Sequence, residues 1–377
     1  MNLLVPWGFY GCGNIGDEST LQGFARLIAR SENGLRVWIA SRDPSHTARV
    51  EPSFKYYKTT GRDLRRLWAN YRSAAHVVAG GTPIMDVFGD WPFREIAPLV
   101  VAASDKRTPF AFIGCGTETL QREESRRAVA EVFSPRVCHW TVRSERDKDR
   151  LTDYGVPPAR ITITADLAWT LDAVTKDFGQ AYLSRLGVDP DNRYVGVNLT
   201  GERFVLAQEP ELFSKVATFL DYLIEMYDLR ILFLANEIRE DDTFDKAASR
   251  RVLSCMKYPD HALIVPNRYW SPQEMMSLIA CCNLTLSMRY HFCVFSALQG
   301  IPFIALKRSD KVEDLCWDLG WPHGLSLNCV DPAELAAIFS DIEQKQPSYM
   351  TALHTRVQRM RDRAFQNDVA LEYLRNG

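Results

Sequence analysis

Leu284-Thr285-Leu286-Ser287-Met288-Arg289-Tyr290-His291-Phe292, followed by Gly300-Ile301-Pro302-Phe303-Ile304-Ala305-Leu306 and then Asp310-Lys311, is the stretch on which the fold turns. It reads as a short buried strand delivering Arg289 and His291 to its carboxyl end, a helix over about 292–298, a second strand, and a lysine beyond. In open α/β sheets ligands collect outside the carboxyl ends of the strands. Three cationic or protonatable groups therefore converge where a ligand is expected. Arginine offers a planar fork to a carboxylate or phosphate, lysine a point charge, and histidine a group that is cation or proton donor near neutral pH. The ligand they imply is a small anion. Singly, each has a structural alternative, an ion pair for Arg289 and a helix cap for His291; jointly they favour a site.

Outward from this stretch, strands and helices keep alternating. Upstream lie strands over 194–199, 230–235 and 263–265, a helix over 211–227, and a helix over 272–281 opened by Ser271 at its N-cap and Pro272 at N1. Asp241-Asp242 marks a further acidic helix start. Between 171 and 190 the pattern loosens, as a linker would. Downstream, 332–374 reads as two helices without a strand, and the charges over 356–363 read as a solvated helix face.

The first half repeats the alternation. Met1-Asn2-Leu3-Leu4-Val5-Pro6 reads as a strand, followed by Gly8-Phe9-Tyr10-Gly11-Cys12-Gly13-Asn14-Ile15-Gly16-Asp17-Glu18 and a helix with Leu21, Phe24, Leu27 and Ile28 at helical spacing. Asp17 suits the N-cap and Glu18 the first turn, where carboxylates are favoured. Such a glycine-rich turn also lets backbone amides approach a ligand. It is not a dinucleotide fingerprint, having no acidic residue at the end of a convincing second strand, and no Gly-Lys-Ser/Thr makes it a Walker loop. Strands over 36–40, 75–79, 109–114, 139–143 and 160–164, with helices over 93–103, 121–133 and 145–154, complete the series. Gly80-Gly81-Thr82, Gly114-Cys115-Gly116 and Asp166 stand at strand ends. The expected fold class is α/β, with parallel, doubly wound sheets in two Rossmann-like domains, 1–175 and 190–377 with a helical tail. They would face each other across a cleft as in GT-B enzymes, the first domain's glycine turns opposite the second's Arg/His/Lys cluster.

A length of 377 residues exceeds what one core organises. With 46% hydrophobic and 24% charged residues, a net charge of −2 and a pI near 6.4, the chain lacks the basic footprint of a nucleic-acid binder. No run approaches the roughly 18 to 20 apolar residues of a spanning helix, and the N-terminus lacks a signal peptide's basic region and cleavage site. Nine scattered cysteines without CxxC or Cys/His ligand spacing read as reduced thiols of a cytoplasmic enzyme, with no structural metal.

Taken in order, Gly13-Asn14-Ile15-Gly16-Asp17-Glu18, Gly80-Gly81 with Asp86, Val142-Arg143 followed by Leu151 and Gly155-Val156, Asp166, Met288-Arg289-Tyr290-His291, Gly300-Ile301-Pro302 and Lys311 resemble the polysaccharide pyruvyl transferase family over roughly residues 1–320. The chain departs from the family's usual pattern at Thr82, Tyr290 and Asn198, where glycine, leucine and often arginine stand. The resemblance implies transfer of a pyruvyl group from phosphoenolpyruvate to two hydroxyls of a sugar as a cyclic ketal, in exopolysaccharide or cell-surface glycan synthesis, without metal or other cofactor. By position it implies that Arg289, His291 and Lys311 form the donor pocket and that Asp17 and Arg143 belong to the acceptor side. Gly13, Asn14, Gly80, Gly81 and Asp166 are carried with them as substrate-binding positions. His291 would be the general acid and Asp17 or Glu18 the base, with Asp166 a third carboxylate for that role.

The acceptor would be a sugar, an oligosaccharide or a lipid-linked saccharide. A lipid-linked acceptor would bring the enzyme to the inner membrane face without a spanning segment. Trp7, Trp91, Trp169, Trp270 and Trp321 are candidates for stacking on a sugar ring. Two rival readings are a GT-B glycosyltransferase using a nucleotide sugar, with Glu237, Glu240 and Asp241-Asp242 available for ribose, and a non-catalytic member of a polysaccharide assembly complex.

Overall fold

A computed structural model describes residues 1–31, 34–60, 63–239 and 244–376. Chain contacts divide it into two units, one of residues 1–12, 17–171 and 359–377 and the other of 13–16 and 172–358. Glu240, Asp241 and Asp242 lie outside the described residues.

The first unit carries strands β1 (Asn2–Trp7), β2 (Arg36–Ser41), β3 (Lys55–Lys58), β4 (Ala75–Ala79), β5 (Phe110–Cys115), β6 (His139–Val142) and β7 (Ile161–Ile163). All pair in parallel in the order β3-β2-β1-β4-β5-β6-β7. Every residue of β4 and β5 is buried, as the near-continuous apolar runs of a sheet covered on both faces require. On one face Phe112 stacks on Trp140 with ring centroids 4.1 Å apart, beside Phe93 and Phe133. On the other, Leu21, Phe24 and Leu27 of helix Ile15–Arg30 pack with Leu371 and Leu374 of the last helix, Asp368–Asn376.

The second unit carries β8 (Tyr194–Asn198), β9 (Arg230–Leu234), β10 (Ala262–Val265), β11 (Leu284–Ser287), β12 (Phe303–Lys307) and β13 (Gly324–Ser326), all parallel, in the order β10-β9-β8-β11-β12-β13. Helix Pro272–Ile279 starts with a full capping box, Ser271 and Glu274 each accepting from the other's amide. In each sheet the strand order reverses once, between β1 and β4 and between β8 and β11, and the crevice at such a reversal is where α/β sheets bind ligands.

The structure departs from the sequence reading in several places. The tail is divided: residues 359–377 return to the first unit. There Thr141 and Thr164 hydroxyls donate to Asn367 Oδ1 at 2.5 and 2.8 Å, while Asn367 Nδ2 donates to Ala165 O at 2.9 Å. The charges over 356–363 are not a solvated face, since Arg361 donates to Leu171 O at 2.5 Å and Arg363 to Thr164 O at 2.7 Å and Arg143 O at 3.0 Å. Carbonyls just past the ends of strands and turns need donors, and long guanidinium stems reach them. The helix expected over 121–133 is α-helical only at Glu123–Arg127 before a π-helical turn, Ala128–Phe133. Trp7, Trp169, Trp270 and Trp321 are buried packing residues. Trp91 packs against Trp7, Phe9 and Phe88. Among the described residues no helix is long and apolar enough to cross a membrane.

Candidate functional site

In the second unit the reversal lies between the ends of β8 and β11, Asn198 and Ser287. Ser287 Oγ donates to Asn198 Oδ1 at 3.2 Å and accepts from Arg289 N at 3.0 Å. Asn198 Nδ2 donates to Leu234 O at 2.7 Å and to Asp245 Oδ2 at 2.9 Å, so one amide joins three strand ends. Asp245, fully buried at the start of helix Asp245–Cys255, is the hub. It also accepts from the amides of Asn236 and Glu237 at 2.9 and 3.0 Å. Its Oδ1 takes Arg289 Nη2 at 2.6 Å and Nε at 3.1 Å.

Arg289 is thus brought to the strand end that the sequence expects, but with one edge of its fork held by a carboxylate. Its Nη1 lies 3.9 Å from Glu237, and its Nη2 donates to Thr200 Oγ1 at 3.4 Å. Burial alone would make the guanidinium easier to deprotonate, but Asp245, Glu202 and Glu237 outweigh it and hold the charge more firmly than usual. Beyond β12, buried Arg308 pairs with Glu202. Burial opposes ionisation of Glu202, yet Arg308, Arg289 and Lys311 together keep its pKa below the ordinary carboxylate value. Arg289, Arg308 and Lys311 therefore share this end of the sheet with Asp245, Glu202 and Glu237, and Arg239 pairs with Glu237 as well. Lys311, half-buried, stands in the first turn of helix Asp310–Leu319, and His291 in the first turn of helix Tyr290–Leu298.

Residues 13–16 belong to this assembly. Gly13, at φ +92°, accepts at its carbonyl from Ile238 N at 2.8 Å, and Ile15 N donates to Asn236 O at 3.1 Å. Asn14 Oδ1 accepts from Gly16 N at 2.9 Å and from Asn236 Nδ2 at 3.1 Å. Asn14 is therefore positioned as the helix cap, and Asp17 is the third residue of the helix rather than its N-cap. Gly16 lies against His291: a Cβ there would sit 2.3 Å from His291 Nδ1, so the histidine's place depends on this glycine.

In the first unit, Arg143 and Asp166 meet as a buried ion pair, Nε to Oδ2 2.9 Å. Arg143 also donates to Gly81 O at 2.6 Å and Gly114 O at 3.2 Å, and Asp166 accepts from Ala168 N at 2.8 Å. These groups brace the glycine turns after β4 and β5. Gly80 and Gly81 both have positive φ, +66° and +71°. Glu18 is fully buried, its Oε1 accepting from Gly11 N at 2.7 Å, which makes it a clasp for the first turn. Asp17 is half-buried. Asp86 accepts from the amides of Gln121 and Arg122 at 3.0 and 2.8 Å. At the ends of β2 and β3 an open groove of about 710 Å³ is lined by Arg42, Ser45, Tyr56, Lys58 and Arg65 among others.

Sequence reasoning missed Asp245, Glu202 and Arg308. Arg308 lies in the short gap between the two halves of the stretch that decides the fold, and a basic residue one place past a buried strand was a usable signal. Nothing local marks Asp245 or Glu202, which matter only through side chains far away in sequence.

The model of the family "Polysaccharide pyruvyl transferase" matches residues 14–310, spanning nearly all of the second-unit cluster and most of the first unit. The chain belongs to this family, which is a family of transferases. Among solved structures it is similar in fold to the UDP-GlcNAc 2-epimerase of Neisseria meningitidis bound to UDP-GlcNAc, with TM-score 0.68 and 10% identity, covering 100% of both chains. Anabaena HepE in complex with UDP-glucose gives TM-score 0.67 and 12% identity over 100% of this chain and 98% of that one. The epimerase of Methanocaldococcus jannaschii gives 0.61 and 11% over 90% and 92%. At such identities the likeness fixes the architecture, two GT-B-like Rossmann units with parallel sheets, and nothing about substrate.

Proposed function

We propose that this pyruvyl transferase family member moves the pyruvyl group of phosphoenolpyruvate onto two hydroxyls of a sugar, forming a cyclic ketal in exopolysaccharide or cell-surface glycan synthesis. The observation that carries the reading is the family match over residues 14–310, which takes in Arg289, His291 and the first residue of the helix that bears Lys311. The geometry adds support. Helices Tyr290–Leu298 and Asp310–Leu319 both begin at the carboxyl end of the sheet, where their first amides favour an anion, and Lys311 and His291 lie in those first turns.

In this mechanism His291, as imidazolium, gives its proton to the methylene carbon of phosphoenolpyruvate. The carbon that carried the double bond becomes electrophilic and is attacked by one sugar hydroxyl, whose proton goes to Asp17. Phosphate leaves from the same carbon beside Lys311, and the second hydroxyl closes the ring, its proton passing to the now neutral imidazole of His291, while Asp17 gives up its proton to the departing phosphate. Arg289 acts by potential and position, since its Nε–Nη2 edge is held by Asp245. Glu18 is assigned to the turn rather than to proton transfer, because its carboxylate is fully buried on the Gly11 amide.

The test is incubation of wild type and His291→Ala with phosphoenolpyruvate and a panel of galactosides, glucosides and mannosaminyl acceptors, following phosphate release and gain of a pyruvyl unit. Wild-type turnover is expected to fall by about 10² to 10⁴ in the variant. A melting assay supplies the other arm: phosphoenolpyruvate at 100 times its Kd should add about 2.7 kcal/mol of stability. Stabilisation by a nucleotide sugar and none by phosphoenolpyruvate would sink the proposal in favour of a glycosyltransferase. No response to either would favour a non-catalytic role.

A further inference from the structure

Helix Leu64–Arg72 places Leu64, Leu67, Trp68 and Tyr71 at spacings of three and four, one continuous apolar stripe. A surface helix of a folded domain turns such a stripe inward. This one turns it out: Leu64 is 81% exposed, Leu67 68%, Trp68 45% and Tyr71 84%, while the helix is seated on its one buried residue, Ala69. The orientation is well anchored. Asp63 accepts from Arg65 N and Lys58 N, each at 3.0 Å, and takes the Arg65 guanidinium at 3.1 Å through both Nε and Nη2. Trp68 meets Trp38 edge-on at 5.2 Å.

The charge around the stripe is equally uneven. From Lys55 to Arg72 the chain has six basic residues against one acidic, a net +5 in a protein of net −2. Arg72 lies over Trp68 and Lys55 over Trp38, both at 5.4 Å, so cations flank the aromatic edge. The groove holding Arg42, Lys58 and Arg65 opens at the helix's first turn.

We propose that helix Leu64–Arg72 docks this protein on an anionic lipid surface, with Leu64, Leu67 and Tyr71 entering the headgroup–acyl boundary and the flanking lysines and arginines meeting lipid phosphates. Leucine with tryptophan and tyrosine is the composition that settles at that boundary, and clustered basic residues add attraction to anionic lipids. A second copy of the chain fits less well, because two faces of like charge would be brought together. The inference is independent of the group transferred, and its test does not read activity.

The experiment is co-sedimentation of the full chain with vesicles of phosphatidylcholine mixed with phosphatidylglycerol, and with phosphatidylcholine alone. Wild type is expected to show a bound-to-free ratio about 10-fold higher on the mixed vesicles, falling steeply with salt. A variant carrying Leu64→Ser, Leu67→Ser and Tyr71→Ser should lose about 10-fold in binding with an unchanged melting temperature, since these side chains support no core. A second variant, Arg66→Gln with Arg72→Gln, should lose the preference for anionic lipid. Equal wild-type partitioning to both vesicles would overturn the proposal, as would undiminished binding by the triple variant. So would a wild-type dimer in light scattering that the triple variant dissociates, which would make the stripe a self-interface.

Discussion

Each unit places a buried arginine–aspartate pair at the carboxyl end of its sheet, and the two pairs do different things. In the first unit Arg143 Nε meets Asp166 at 2.9 Å and also donates to Gly114 O, while Nη2 donates to Gly81 O. In the second unit Arg289 meets Asp245 at 2.6 Å and is surrounded by further carboxylates and by cations at Arg308 and Lys311. The first pair stabilises backbone turns; the second is part of a larger charge cluster. Deleting either aspartate takes the nearest counter-charge from a buried arginine. Asp245 in addition receives Asn198 Nδ2 and the amides of Asn236 and Glu237, so its loss leaves further buried donors unpaired.

That difference sets the largest expected effect. Asp245→Ala takes the nearest carboxylate from buried Arg289 and also removes the acceptor of Asn198 Nδ2 and of the Asn236 and Glu237 amides, so it should cost roughly 3–5 kcal/mol in urea unfolding. Asp166→Ala removes the counter-charge of buried Arg143 but leaves it donating to two carbonyls, and should cost less, roughly 2–3 kcal/mol. Equal losses would erase the distinction between brace and cluster. A next step down, Gly80→Ala and Gly81→Ala separate space from backbone conformation within one turn. A Cβ on Gly80 would sit 1.8 Å from Thr20 Cγ2, whereas one on Gly81 meets nothing within 4 Å, although both residues have φ near +70°. Gly80→Ala should cost about 2 kcal/mol, and Gly81→Ala about 1 kcal/mol from left-handed strain alone. Matching values would mean that the turn relaxes away from Thr20.

These contrasts also mark what the sequence could reveal. Parallel strands are written as local apolar runs, so Ala75–Ala79 is found at its ends, and the Arg289–His291 strand tip follows from one short stretch. The short edge strand Lys55–Lys58 escapes, because two of its four residues are exposed lysines at the sheet's margin. Asp245 and Glu202 escape for another reason: a carboxylate's partner is chosen by the fold across 44 or 106 residues, and no periodicity encodes that. The return of residues 359–377 to the first unit rests on Asn367 and two threonines more than 200 residues away, equally invisible locally. The apolar stripe of helix Leu64–Arg72 shows the converse, a plain pattern whose outward orientation only the structure could give.

The smallest effect concerns pH, and it sharpens the comparison by asking which unit loosens first. Two of the histidines buried in the first unit are His76, on Ser73 Oγ at 2.8 Å, and His139, stacked on Tyr373 with ring centroids 4.0 Å apart. Desolvation pushes both down to about 4, with Lys106 adding to it at His76. A histidine depressed in the folded state contributes stability that is present above its ordinary value near 6.5 and lost as pH falls toward the folded value. His76 alone should therefore remove about 1 kcal/mol between pH 7 and pH 5.5. The second unit has His323, also lowered by burial, but Asp341 at 3.6 Å partly offsets the shift. Its Glu202, held below the ordinary carboxylate range, gives way only at more acidic pH, after falling through its own depressed value. Hydrogen exchange at pH 5.5 should accordingly quicken in β4–β6 before it changes in β8 and β11, and His76→Gln should flatten the response. Earlier opening of β8 and β11 would show that the charge cluster, not the neutral histidines, is the acid-sensitive element.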